Sequence, residues 1–458
     1  MGRRVVMTLL PLACLGSLAH AGAAQDRRTV VEPTIPAACI TLSARLVPVG
    51  DTTIASSDEE RLDTDRIQRA IDGCGAGRAV VLAADGAQRG FLTGPVRLRR
   101  GVTLVVGPRV TLFGSRNPRD YDLRPGSCGT VTKAGHGCQP LLSAENAPHA
   151  GVMGDGTIDG RGWATLAGRD VSWWDLAQQA KVEKLNQSCP RLLQITKSDD
   201  FTLYRITLRN SPNFHVVFDR GDGFTAWGVT IATPKTARNT DGIDPASATN
   251  VTIAHSFIRT GDDDVAIKAG STGPTSYVSI LHNHFYTGHG VSIGSETNGG
   301  AHHILVRDLS IDGADNGLRI KSNASRGGLV EHVTYEDVCI RKTRNVIEMD
   351  THYTASPETE GNLVPRFRNI VLRDVRVLDG GRLILDGYDA ARPLEIVFDG
   401  VTFDAPAKIK VAASHAAVEV RSGPLELPIT GADVRIARSA ATRAPNRCTD
   451  KFVAFPVR

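Results

Sequence analysis

Val265-Ala266-Ile267, Val291-Ser292-Ile293 and Leu318-Arg319-Ile320 are short alternating runs that recur at steps of 26 and 27 residues. A second series, Val229-Thr230-Ile231, Val251-Thr252-Ile253 and Val278-Ser279-Ile280, steps by 22 and 27 residues. Gly, Asn, Asp and Thr lie between the runs, and these are residues that reverse a chain. Strands repeating at this period, with no helix between them, predict an all-β parallel β-helix in which each coil stacks on the one before. A propeller blade of ~40 to 45 residues does not fit the step.

Outward from the repeat, the 458 residues that ~150 per domain would divide into about three read instead as one solenoid. Glycine is abundant at 46 residues and aromatics amount to 5%, which suits short turns between aliphatic strands. Residues 63 to 74 form an amphipathic pattern with Ile67, Ala70 and Ile71 on one face. This short helix is expected to cover the N-terminal edge of the stack. The stretch around Trp173 to Glu183 is the other helical candidate.

Arg3 and Arg4, an apolar run from Val5 to about Leu18 and the small residues of Ala19-His20-Ala21 read as a secretory signal peptide over 1–23. The remainder, 24–458, is expected to be a single domain, with an N-terminal cap over about 24–100 and coils to about 440. Cys14 falls in the signal, which leaves seven cysteines in an exported chain. Cys39–Cys74 and Cys128–Cys138 are candidate disulfides. An odd number leaves one thiol over, and Cys189, Cys339 and Cys448 are not assigned. The net charge of +4 contains no long basic run, so a nucleic-acid partner is not expected, whereas a polyanionic substrate is compatible. No later stretch is long enough to span a membrane as a helix.

Polar residues placed on the repeat form a cluster. Asp241, Asp263 and His289 each stand two positions before Ile243, Val265 and Val291, so successive coils bring them into register ~4.8 Å apart. Asp262 adds a third carboxylate, and Arg319 and Lys321 alternate along the next strand, which points both to one face. Interacting carboxylates cannot all ionise freely, so one can serve as a general acid. The paired cations would bind an anionic substrate group. Such acid–base chemistry calls for neither a metal nor a cofactor. A calcium-dependent β-helix lyase would need a basic proton acceptor where acids dominate here, and a β-helix adhesin is the non-enzymatic alternative.

Asn239-Thr240-Asp241-Gly242, Gly261-Asp262-Asp263, Gly288-His289-Gly290 and Arg319-Ile320-Lys321 occur in the order and spacing of the polygalacturonases, glycoside hydrolase family 28. The chain resembles in particular the secreted bacterial endopolygalacturonases of plant pathogens, from about Thr29 to Pro406. The resemblance implies a right-handed parallel β-helix that hydrolyses α-1,4 links of polygalacturonate (pectin) with inversion and endo action, the alternatives being exo action or a rhamnogalacturonan or xylogalacturonan backbone. It implies that Asp262 is the general acid, that Asp241 and Asp263 activate water, and that His289 tunes the acid. Arg319, Lys321, Tyr353, Asp244 and Asn239 are implied substrate contacts, so Arg319→Ala or Lys321→Ala should chiefly raise KM. A secreted monomer is expected. Two features depart from the pattern. Asp264 stands where many members have Cys, and strand alternation should turn it away from the cleft. Stacked carboxyls ~5 Å apart, taken alone, would suggest retention of configuration instead of inversion.

Overall fold

The computed structural model describes residues 25–50, 52–354 and 358–456, so the expected signal peptide lies outside the described residues. The chain is a parallel β-helix. One stack of eleven strands runs from Val96–Arg97 through Leu193–Thr196, Val216–Asp219, Ile243–Ala246, Val265–Ile267, Val291–Gly294 and Asn316–Lys321 to Ile409–Ser414. Leu193, Val216, Ile243, Val265, Val291 and Leu318 are successive partners in it. The first triplet series is therefore in register as the spacing requires.

The second series is only partly so. Val251 pairs with Val278, but its preceding partner is Phe224, a step of 27 residues. Thr230 and Ile231 belong to a different stack, opposite Phe257 and Ile258. The step of 22 joined strands of two different stacks on successive coils, because both carry the same β-branched pattern. Pairing also begins earlier than that pattern signals, with Ala38–Ser43 beside Arg78–Ala83 and the latter beside Val102–Val106.

Inside the coil, period-2 alternation sends one row of each strand inward. Leu193, Val216, Ile243, Val265, Val291 and Leu318 are buried, as are Ile195, Phe218, Ile267, Ile293 and Ile320 two residues on. The intervening residues face the cleft, among them Asp244, Ser292 and Arg319. Helix α1 (Thr64–Asp72) buries Ile67, Ala70 and Ile71 in the same core, as the amphipathic pattern predicts. Helix α2 (Trp173–Glu183) opens on a capping box between Ser172 and Asp175. It interrupts the coil between Leu142–Glu145 and Leu193–Thr196, which are nevertheless direct neighbours.

Covalent and polar ties hold the ends. Cys39–Cys74, Cys128–Cys138 and Cys339–Cys448 are disulfides, and Cys189 is the free thiol among the described residues. The third closes 109 residues, and loop-closure entropy for a loop of that size corresponds to about 4–5 kcal/mol. It fixes a C-terminal segment whose Lys451 pairs with Asp337 at 2.7 Å. At the other terminus Asp26 is buried and accepts a 2.7 Å hydrogen bond from Thr252, which straps the chain start across the outer face of the coils.

Candidate functional site

Two residues before the register partners named above stand Arg191, Phe214, Asp241, Asp263, His289 and Asn316. This row crosses six coils of one face. Its turns are tight enough to exclude a side chain at key places. A Cβ on Gly242 would lie 2.3 Å from the Asp264 carbonyl oxygen. On Gly288, which has φ +138°, it would lie 2.6 Å from Asp264 Oδ1 and 2.8 Å from the Asp262 carbonyl oxygen. These glycines let neighbouring coils close up until the acids touch.

His289 Nδ1 lies 3.2 Å from Asp262 Oδ1 and 3.7 Å from Asp263 Oδ1. Asp263 is buried, and it accepts from Ser292 at 2.7 Å and from Lys321 Nζ at 2.8 Å, with Arg319 Nη1 at 3.5 Å. Arg319 and Lys321 are themselves buried. They do share a face, as strand alternation predicts, but their nearest partner is Asp263 and not open cleft. Arg319 Nε is also 3.6 Å from Glu348, the residue opposite it on the next coil. Tyr353 sits over this pair, its ring centre 5.4 Å from the Arg319 guanidinium and 5.5 Å from Lys321 Nζ.

The acids diverge in charge because their partners differ. Burial raises the Asp263 carboxyl, but Lys321, His289 and Arg319 outweigh it and hold the group well below the usual carboxylate range. Asp262 is likewise penalised by burial yet lowered overall, chiefly by His289. Burial disfavours the imidazolium, but the two acids prevail and push His289 up to about 10. Asp241 is raised well above the ordinary value by burial, opposed by Lys268 and reinforced by Asp244, Asp262 and Asp263. One proton therefore rests on the His289–Asp262 pair in neutral solution, and Asp241 is the most basic of the three cleft acids.

Lys268 and the position of Asp244 complete this side of the site. Lys268 Nζ is 2.6 Å from Asp244 Oδ2 and 3.2 Å from Asp241 Oδ2. Burial raises Asp244 to about 6 against the pull of Lys268. The sequence reading missed Lys268, although it stands three residues after Val265, just as Lys321 stands three after Leu318. Asp264 is fully buried inside the coil, as alternation predicts, where Thr260 Oγ1 and the Gly290 N–H donate to it at 3.1 Å each. Burial raises it well above its usual range. Asn239 faces a neighbouring pocket, where its Oδ1 accepts from Gln187 at 3.1 Å.

Asp262, Asp263 and His289 form the one group among the described residues whose ligand atoms, all within 4.8 Å of one another, could gather a metal ion. A protonated His289 and the adjacent Lys321 ammonium supply positive charge there already, which fits proton transfer better than cation binding.

Residues 87–420 match glycosyl hydrolases family 28. The chain is 46% identical over 412 residues to an endo-polygalacturonase of Pectobacterium carotovorum subsp. carotovorum, covering 89% of this chain and 97% of that protein. It is 41% identical over 459 residues to a polygalacturonase of Ralstonia solanacearum, covering 88% and 86%. Among solved structures, the polygalacturonase from Erwinia carotovora ssp. carotovora superposes with a TM-score of 0.80 at 45% identity, over 86% of this chain and 99% of the other. The chain belongs to glycosyl hydrolases family 28 and is a glycoside hydrolase.

Proposed function

We propose that this family 28 hydrolase cleaves α-1,4-galacturonosyl links within polygalacturonate chains by a single displacement at the Asp241–Asp262–Asp263 cluster. The observation that carries the reading is the stacked row of acids backed by buried Arg319 and Lys321. These cations pair with Asp263 at the floor of the acid row, where a galacturonate carboxylate can share them. The similarity to endo-polygalacturonases supports internal cleavage. The signal-like N-terminus and three disulfides support export of a single catalytic domain over 24–458, and all the site residues come from one chain, which supports action as a monomer.

In the proposed step, Asp262 donates its proton to the glycosidic oxygen as the bond to the anomeric carbon breaks. His289 holds that proton beside Asp262 in the free enzyme and can return it to the carboxylate as charge develops on the leaving oxygen. Water attacks the anomeric carbon from the opposite side and gives its proton to Asp241. A base works best with a pKa near the working pH, which suits the raised Asp241 more than Asp263. Asp263 stays ionised, holds the three cations in place and helps to orient the water. A water between acid and base makes the step inverting. Proton NMR of the first-formed anomer tests this: the β anomer is expected, and an initial α product would refute single displacement. Fully methyl-esterified substrate should be cut far more slowly than the free acid, because esterification removes the charge that Arg319 and Lys321 recognise.

Lys268 keeps Asp241 ionisable. In Lys268→Met the burial penalty on Asp241 is unopposed, so its pKa rises further and the acid limb of the kcat/KM profile moves to higher pH. A loss of about 10- to 100-fold is expected below neutrality, with partial recovery at alkaline pH. A profile of unchanged shape, measured on polygalacturonate, would remove Lys268 from the mechanism.

A further inference from the structure

The row that carries Asp241, Asp263 and His289 begins two coils earlier with Arg191, about 10 Å along the axis from Asp241. Arg191 is half-buried beside a pocket of about 420 Å³, a size within the range of small-ligand sites. Arg238 and Asn239 line the same pocket, with Asn186, Gln187 and Gln194. Neither arginine is paired with a carboxylate among the described residues. Arg191 Nη1 donates to the Gln194 amide oxygen and its guanidinium lies 5.2 Å from the Phe214 ring centre, while Arg238 Nη1 donates to the Ala177 carbonyl at 3.2 Å.

This differs from the other buried cations of the cleft. Lys268 pairs with Asp244, Lys321 with Asp263, and Arg319 with both Asp263 and Glu348. Withdrawing a guanidinium from water without a counter-charge is costly. Burial does act on Arg191, lowering its pKa against the more distant pull of Asp244, Asp241 and Asp219. A pocket with two such arginines, rimmed by amides that can bond hydroxyls, is complementary to a sugar bearing a carboxylate.

We propose that Arg191 and Arg238 form a second carboxylate anchor, a galacturonate site that lies about 10 Å from Asp241 on the side away from Arg319 and Lys321. The site rests on the polygalacturonate reading above and extends it. Asp241 and Asp262 then lie between two cationic grips, Arg319 with Lys321 on one flank and Arg191 with Arg238 on the other. A chain held at both flanks is bound across its interior, and one too short to reach the second grip loses part of its affinity.

The test is the KM and kcat of Arg191→Gln, Arg238→Gln and the double variant on galacturonate oligomers of increasing length and on polygalacturonate. For long substrates the double variant should raise KM about tenfold or more, with kcat within about twofold, since tenfold in affinity corresponds to 1.4 kcal/mol. For the shortest cleaved oligomers KM should match the wild type, and Arg191→Lys should recover part of the long-chain affinity. A KM unchanged at every length would overturn the anchor, and so would an equal loss at every length. If the wild type itself leaves polygalacturonate intact, the underlying hydrolase reading fails and not the anchor alone.

Discussion

Asp262→Asn lowers kcat on polygalacturonate by about 10²–10⁴-fold while KM changes little, the size expected for loss of a general acid. The substitution is nearly isosteric. The Asp262 carboxyl accepts the Asp263 N–H at 3.0 Å, and an amide oxygen can keep that bond, so the coil should remain folded. What an amide cannot do is carry the proton that the leaving oxygen needs. Its effect on His289 follows from the same charges. With Asp262 neutral, one of the two acids that hold the imidazolium is lost, so the His289 pKa falls from about 10 and the residue titrates nearer neutrality. Kinetics, with circular dichroism as the control for folding, check the first point, and NMR titration of the ring checks the second. Activity above a tenth of the wild type would remove Asp262 from the acid role.

Lys321→Ala should be nearly as damaging, and in both kinetic constants. The family resemblance points to a substrate contact, hence a loss of affinity. The structure adds that Lys321 is buried and 2.8 Å from Asp263. Removing one partner of a buried pair costs about 3–5 kcal/mol because the other is left without compensation. The Asp263 pKa, held well below the ordinary range by that ammonium, must then rise. Below its folded pKa the carboxylate is lost, so the variant should fail first on the acid side of the profile. We expect kcat/KM to fall by about 10²–10³-fold, shared between a higher KM and a lower kcat. Lys321→Arg should restore part of it. A rise in KM alone, with kcat and the pH profile intact, would confine Lys321 to substrate binding.

The cleft was legible where chemistry coincided with the strand repeat. Ile243, Val265 and Val291 define a register, and reading two positions back from each finds Asp241, Asp263 and His289 without any knowledge of the fold's interior. Asp264 was legible too, because alternation alone decides whether it faces the cleft or the core. The same two-residue offset places Arg191 before Leu193, but it does not reach Lys268. Arg191 precedes Leu193, whose coil is separated from its predecessor by α2, and that insertion hides the period. Lys268 lies beyond the apolar triplet Val265-Ala266-Ile267, where a lone lysine looks like a solvated surface charge until Asp244 is seen against it. The step of 22 between Val229 and Val251 misled for a related reason. Strands of different stacks share one composition, and only backbone pairing tells them apart.

The roles of the acids were less accessible. Stacking at ~4.8 Å places carboxylates side by side but does not say which is ionised. That depends on Lys268 behind Asp241, on Lys321 and Arg319 behind Asp263, and on His289 between Asp262 and Asp263. These contacts are all made between residues of different coils.

The central claim is internal hydrolysis of polygalacturonate, and a time course of product size on that substrate, followed with absorbance in the near ultraviolet, tests it most directly. Oligomers of many lengths should appear early, with new reducing ends and no unsaturated chromophore. Monomer or dimer alone from the first time point, or a chromophore that disappears with a calcium chelator, would contradict it.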